Sequence, residues 1–242
     1  MENKETYHVL DLPSRLKVYK DVKEISIRFL KGKDEKLLGG LTISNWDKKY
    51  NILLNQVLKG IDPRELTLGD RTYIAIWLSA NCYSHIYPIE TLCLECFAKV
   101  KVKVDLKKLE KVYLSEDFVE PEPVELLDGT VIPMRLLRVK DQISYLDYIA
   151  KAEEDRPNFK LALTMENDMT LAQRLAFLDN LDTKDLGILR NFHDKHVHGV
   201  NLDDYAFECP KCKEAGTTPV PFRFEMLVPD NETVSNFARD GV

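Results

Sequence analysis

Two short cysteine pairs, far apart in the chain, constrain its fold more than any other feature: Cys93-Leu94-Glu95-Cys96 and Cys209-Pro210-Lys211-Cys212. A Cys-x-x-Cys turn points two thiolates at one spot, and two such turns supply the four soft ligands of a tetrahedral zinc site. Each pair sits between strand-like segments. Ile89-Glu90-Thr91-Leu92 leads into the first and Phe97 to Val102 leaves it; Tyr205-Ala206-Phe207 leads into the second and Pro221 to Phe224 leaves after a Gly/Thr/Pro loop. Strand, knuckle and strand, occurring twice, is the zinc-ribbon arrangement. Ribbon knuckles usually lie about 15–20 residues apart. Here residues 97–208 intervene, so the site would close a very long loop.

The expected ligands of one structural zinc are therefore Cys93, Cys96, Cys209 and Cys212. Two local alternatives stay open at this point. Cys82 and His85 could complete a compact site with the first knuckle, and His193, His196 and His198 one with the second. Cys82 falls in an apolar helical stretch, where a core cysteine suffices. The histidines fall at a helix end, where hydrogen-bonding or cationic side chains suit the exposed carbonyls. A redox role would need a thioredoxin-like βαβ context, which neither pair has.

Hydrophobic residues make up 44% of the 242 and charged residues 31%, so both a core and a solvated surface are available. No apolar run approaches the length of a membrane span, and the first residues, Met1-Glu2-Asn3-Lys4-Glu5, lack the apolar core of a secretory signal. Five cysteines, four of them paired at metal-ligand spacing, suit a reducing compartment. A net charge of −6 argues against nucleic acid as the main partner. There is no Gly-rich phosphate loop, Ser-His-Asp arrangement or His-Glu-x-x-His motif.

The patterning predicts an α+β fold. Strands are expected over 7–12 and 25–30, with Ile25, Ile27 and Phe29 facing inward and Ser26 and Arg28 outward. A helix over 32–38 should stop at Gly39-Gly40. Ser44 and Asp47 suggest a capping box for a helix over 46–59. A helix over about 69–83, started by Thr67 and Asp70, is apolar almost all round and so should be buried. From 86 to 113 the pattern is β, with Lys99, Lys101 and Lys103 on the wet face. Residues 115–125 read as an acidic, proline-rich extended connection, and Asp128-Gly129 as a hairpin turn. Helices are expected over 139–154, 159–167, 170–181 and from Thr183 up to Gly199. These elements divide the chain into an N-terminal α+β part (1–113), a connection with a hairpin (114–138), a helical lobe (139–200) and a second knuckle with a polar tail (201–242), joined by the four-cysteine ribbon. In the tail, Phe237 between Asn236 and Ala238 could anchor to a neighbour.

The order of segments also carries a resemblance. Leu12-Pro13-Ser14, then Ile27-Arg28-Phe29-Leu30-Lys31-Gly32-Lys33-Asp34-Glu35-Lys36-Leu37-Leu38, is followed by an amphipathic helix and by Ile61, Asp62, Leu66 and Asp70 at Ile-Asp-x-x-x-Leu-x-x-x-Asp spacing. A helix from Thr72 to Ser84 follows, then Val102, Val104, Asp105, Leu106 and Leu109, then Gly129 to Arg138 running into Asp141. This order, over about residues 10–150, resembles the T-even-type phage baseplate proteins. The resemblance implies a tailed-phage morphogenesis protein, a baseplate hub component or hub assembly factor. Its partners would be other hub, tail tube or tape-measure proteins, met in the host cytoplasm during assembly and in the virion. It implies no catalytic residues. The competing reading is a zinc-ribbon nucleic-acid-binding or transcription-associated protein, for which Lys99, Lys101, Lys103, Lys211 and Lys213 would have to form a basic patch.

Overall fold

Ile25 and Ile27 are fully buried and anchor a small antiparallel sheet. Its strands are β1 (His8–Val9), β2 (Ser26–Ile27) and β3 (Leu58–Lys59), with β2 in the middle. The computed structural model describes residues 5–42, 44–151 and 157–227. Between β2 and β3 run helices α1 (Gly32–Leu38) and α2 (Trp46–Val57).

The inward–outward assignment around β2 is corrected by the structure. Arg28 is 2% exposed and Phe29 45% exposed, the reverse of the simple alternation. Arg28 is admitted because Asp34 faces it, accepting from Nη1 at 2.6 Å and from Nη2 at 3.1 Å. Asp34 also accepts from the Lys31 backbone N–H at the start of α1. Burial pushes the Asp34 carboxyl up, but Arg28 and the Lys31 amide outweigh it and hold it below the usual range. The Ser44–Asp47 capping box is not formed. Asn45 occupies the cap position of α2, and Asp47 instead pairs with Arg71 at 2.7 Å. Helix α2 ends at Val57, two residues early, because Leu58 and Lys59 pair with Ile27 and Ser26.

Helix α3 (Leu68–Cys82) is the wall of the molecule. Its start is as expected: Thr67 Oγ1 accepts from the Asp70 N–H at 3.2 Å. Ile74, Ala75 and Leu78 belong to one buried cluster, while Ile76 and Ala80 belong to a second. A helix that feeds two cores is apolar on both sides, which explains its sequence. The first cluster also takes Met134, Phe159, Leu178, Leu189 and Phe192 from later in the chain.

The second cluster lies under the β-ribbon of β4 (Ile86–Leu92) and β5 (Lys99–Asp105), paired in antiparallel register from Ile86↔Asp105 to Leu92↔Lys99. Val100, Val102 and Val104 are buried and Lys99, Lys101 and Lys103 exposed, as the alternation requires. Strand β6 (Lys111–Val112) follows. The acidic connection is ordered: Phe118 is buried, and Glu120 pairs with the buried Arg138. The hairpin at Asp128-Gly129 joins β7 (Glu122–Glu125) and β8 (Val131–Met134).

Four helices come next: α4 (Val139–Ile149), α5 (Phe159–Thr164), α6 (Leu171–Asp179) and α7 (Thr183–Lys195). Their order is as expected and their ends fall short. The end of the expected 139–154 helix and the tail with Phe237 lie outside the described residues. Helix α7 stops before Gly199 because Gly199 and Val200 form β9, which pairs with β6. Strands β10 (Tyr205–Glu208) and β11 (Ala215–Thr218) form the last hairpin, and a helical turn, Phe224–Leu227, closes the described chain. The fold is mixed α+β with a four-cysteine cluster.

Candidate metal centre

Each Cys-x-x-Cys pair is the turn of a β-hairpin. In the first, the Phe97 N–H donates to the Cys93 carbonyl at 2.9 Å and the Cys93 N–H to the Ala98 carbonyl at 3.0 Å. In the second, the Lys213 N–H donates to the Cys209 carbonyl at 2.9 Å and the Cys209 N–H to the Glu214 carbonyl at 2.8 Å. The two turns are thus built alike. In both, the residue after the second cysteine has positive φ, +55° at Phe97 and +65° at Lys213.

The hairpins meet tip to tip. Cys93 Sγ lies 3.6 Å from Cys212 Sγ, and Cys96 Sγ 3.7 Å from Cys209 Sγ. All four sulfurs lie within 4.8 Å of one another. Bonds of ~2.3 Å from one tetrahedral zinc would place sulfurs about 3.8 Å apart, so the donor set and its spacing fit that ion. Cys209 and Cys93 are buried, while Cys212 is exposed. Hydrogen bonds from the Cys212 and Lys211 amides draw the Cys209 thiol down to about 6. At Cys212 the Glu214 amide lowers the pKa, but loss of solvation together with the neighbouring sulfurs outweighs it and pushes the thiol up to about 12. One thiolate next to three more is costly without a cation between them.

Contacts outside the knuckles bring the distant hairpin into place. Strand β9 is held by β6, and the Asn201 N–H donates to the Glu110 carbonyl at 2.8 Å. The Asp105 N–H donates to the Tyr205 hydroxyl at 3.1 Å, and Thr218 Oγ1 donates to Thr91 Oγ1 at 2.9 Å. At the start of β9, Gly199 packs on Gly69 at the start of α3, and a Cβ on Gly69 would sit 2.2 Å from the His198 carbonyl oxygen.

The local alternatives are not assembled. Cys82 Sγ accepts from the Leu30 N–H at 3.4 Å, in contact with the first core. His193 Nε2 lies 3.1 Å from Thr164 Oγ1, His196 Nε2 lies 3.0 Å from Glu122, and His198 Nε2 lies 2.7 Å from Thr67 Oγ1. Each histidine has a separate structural neighbour. Among the described residues, the four cysteines are the converging group of metal-capable side chains.

Sequence reasoning did not find the buried polar group at the head of α3. Asp70 accepts from the Ser14 N–H at 2.9 Å and from the Tyr19 hydroxyl at 2.5 Å, and that hydroxyl accepts from the Thr67 N–H at 3.0 Å. Burial, and then Asp70, push the Tyr19 phenol well above its ordinary value. Leu12-Pro13-Ser14 and Asp70 are among the residues that carry the resemblance, and here they are joined. A family model described as T4 bacteriophage base plate protein matches residues 6–228.

The chain belongs to that family. The match extends well beyond residues 10–150 and spans both cysteine knuckles, so the second hairpin lies within the family's extent. No curated protein matches this baseplate protein. No solved structure matches it. No helix among the described residues is long and apolar enough to cross a membrane.

Proposed function

We propose that this phage baseplate component is a hub constituent or hub assembly factor that acts by binding other tail proteins, without catalysis. We further propose that it carries one structural zinc on Cys93, Cys96, Cys209 and Cys212. The observation that carries the metal reading is the convergence of four sulfurs within 4.8 Å from two hairpins far apart in sequence. Zinc would supply no reaction here. Four protein ligands leave no open position for water or substrate, and such sites contribute folding free energy. The hub reading rests on the family match and on the order of segments over residues 10–150. The net charge of −6 supports a protein partner over nucleic acid.

Elemental analysis of the purified full chain tests the metal, with one zinc per chain expected. No metal, or iron with visible absorbance, would refute it. Pull-down from infected cells at two salt concentrations, with peptide identification, tests the role. Hub, tail tube or tape-measure proteins should be recovered. Recovery of peripheral baseplate proteins alone would reject the hub. Nucleic acid retained with a steep salt dependence, and no tail protein, would favour a nucleic-acid binder. The same inventory on purified particles should place the protein in the virion.

A further inference from the structure

A cavity of about 620 Å³ opens where α2, α3, α4 and the last described segment meet. A space of this size takes a large side chain together with its neighbours. Its walls are mainly apolar and aromatic: Trp46 and Tyr50 from α2, Leu68 from α3, Leu146 from α4, and Phe222. Trp46 is stacked with Tyr50 and meets Phe222 edge-on, each at 6.3 Å between ring centroids. The charged residues that line the cavity, Asp47 and Arg71, pair with each other at 2.7 Å, so it presents no net charge. The side-chain amide of Gln142, also in the wall, has no hydrogen-bond partner among the described residues. Aromatic walls, a neutral lining and one free amide suit an uncharged aromatic side chain that brings a polar group with it.

The chain carries such a group beyond its last described residue. Among residues 228–242 the single aromatic is Phe237, flanked by the uncharged Asn236 and Ala238. The distances allow it to reach. The turn Phe224–Leu227 packs on α3, and Met226 shares the second cluster with Ile76 and Ala80. On the same helix, Leu68, Arg71 and Thr72 line the cavity, about 6–18 Å away along the axis at 1.5 Å per residue. The nine residues 228–236 span up to about 30 Å when extended. A tether this short gives Phe237 an effective concentration on the order of millimolar at the cavity, which favours its own chain over a second copy. We propose that Phe237 fills this cavity in its own chain, with the Asn236 amide pairing to Gln142, so that the C-terminal segment latches α2, α3 and α4 together.

Two measurements on the purified full chain test it. In the first, a photo-crosslinking phenylalanine analogue replaces Phe237. The adduct should be intramolecular and map to peptides carrying Trp46, Leu146 or Phe222. An adduct to a second copy, an intramolecular adduct elsewhere, or no adduct would overturn the proposal. Leu146→Glu, at a position 38% exposed, puts a charge at the cavity and should cut the adduct about tenfold or more; an undiminished adduct would count against the latch. The second measurement uses the chain's two tryptophans, whose indole N–H resonances are assigned with Trp77→Phe. Phe237→Ser should shift the Trp46 resonance and leave that of Trp77, which packs with His8 and Phe29, in place. A Trp46 resonance that does not move would overturn the proposal. Neither readout involves the cysteines or a second tail protein, so the latch stands or falls apart from the proposed function.

Discussion

Arg28 and Asp34 meet with side chains 3% and 0% exposed, and neither could stay charged there alone. Arg28→Ala should therefore cost about 3–5 kcal/mol, since it strands a buried carboxylate; a loss below about 1 kcal/mol in urea titration would show that Asp34 is already neutral or solvated. His193 answers burial differently. It is drawn down to about 4, first by burial and then by His196 and Arg135, with Asp194 acting against them. Its unfolded value is near 6.5, so between pH 6.5 and 4 the unfolded chain binds more protons. Stability from this residue is fully present above pH 6.5 and is lost as pH falls through that window. Between pH 7 and about 4.5 the wild type should lose about 2–3 kcal/mol more than His193→Gln, measured by urea titration at both values. Equal losses would mean the ring is hydrated in the folded state.

At the scale of elements, the join between the start of α3 and β9 decides whether the second hairpin can reach the first. Gly69 lets the His198 carbonyl approach to a distance that no Cβ allows, and Gly199, at φ +136°, faces it. Gly69→Ala should cost roughly 1–3 kcal/mol by forcing the two elements apart. Unchanged stability in urea would show that β9 simply shifts. Neither glycine signals this contact in the sequence, because the clash lies between residues more than a hundred positions apart. What was legible was local: the Val/Lys alternation of β5, the Thr67–Asp70 start of α3, the Asp128-Gly129 turn and the spacing inside each cysteine pair. What was not legible depended on tertiary partners. Leu58 and Lys59 leave α2 because β2 is there to pair with them, and Arg28 turns inward because Asp34 faces it. The convergence of the four sulfurs was readable because cysteine at this spacing has few other uses, whereas the exposure of Leu94 and Phe97 was not, since nothing in the pattern separates a core aromatic from a displayed one.

Across the whole molecule, two cores share α3, and the cysteine cluster belongs to one of them. Cys93 and Cys209 pack with Ile89, Val100 and Val220, while the first core holds residues from Leu10 to Leu227 without them. The proposed zinc, bridging the knuckles, would close a loop of more than a hundred residues, a constraint worth about 4–5 kcal/mol in the chain-entropy model. The β6–β9 ladder and the Asp105–Tyr205 hydrogen bond would survive its removal. Chelation should therefore open the knuckles and leave the first core folded at 25 °C, with a fall in Tm on the order of 10 °C. Hydrogen exchange would resolve this by residue. The amides of Cys93, Phe97, Cys209 and Lys213, which donate within the knuckles, should lose protection. Those of Ile74 and Leu78 in α3 should keep theirs. Cys93→Ser should reproduce the chelated pattern and Cys82→Ser should not, because Cys82 contacts the first core and accepts a hydrogen bond from Leu30. Simultaneous loss of protection in α3 would mean that the metal holds the whole chain together, and no change on chelation would mean that the hairpins are held by their protein contacts alone.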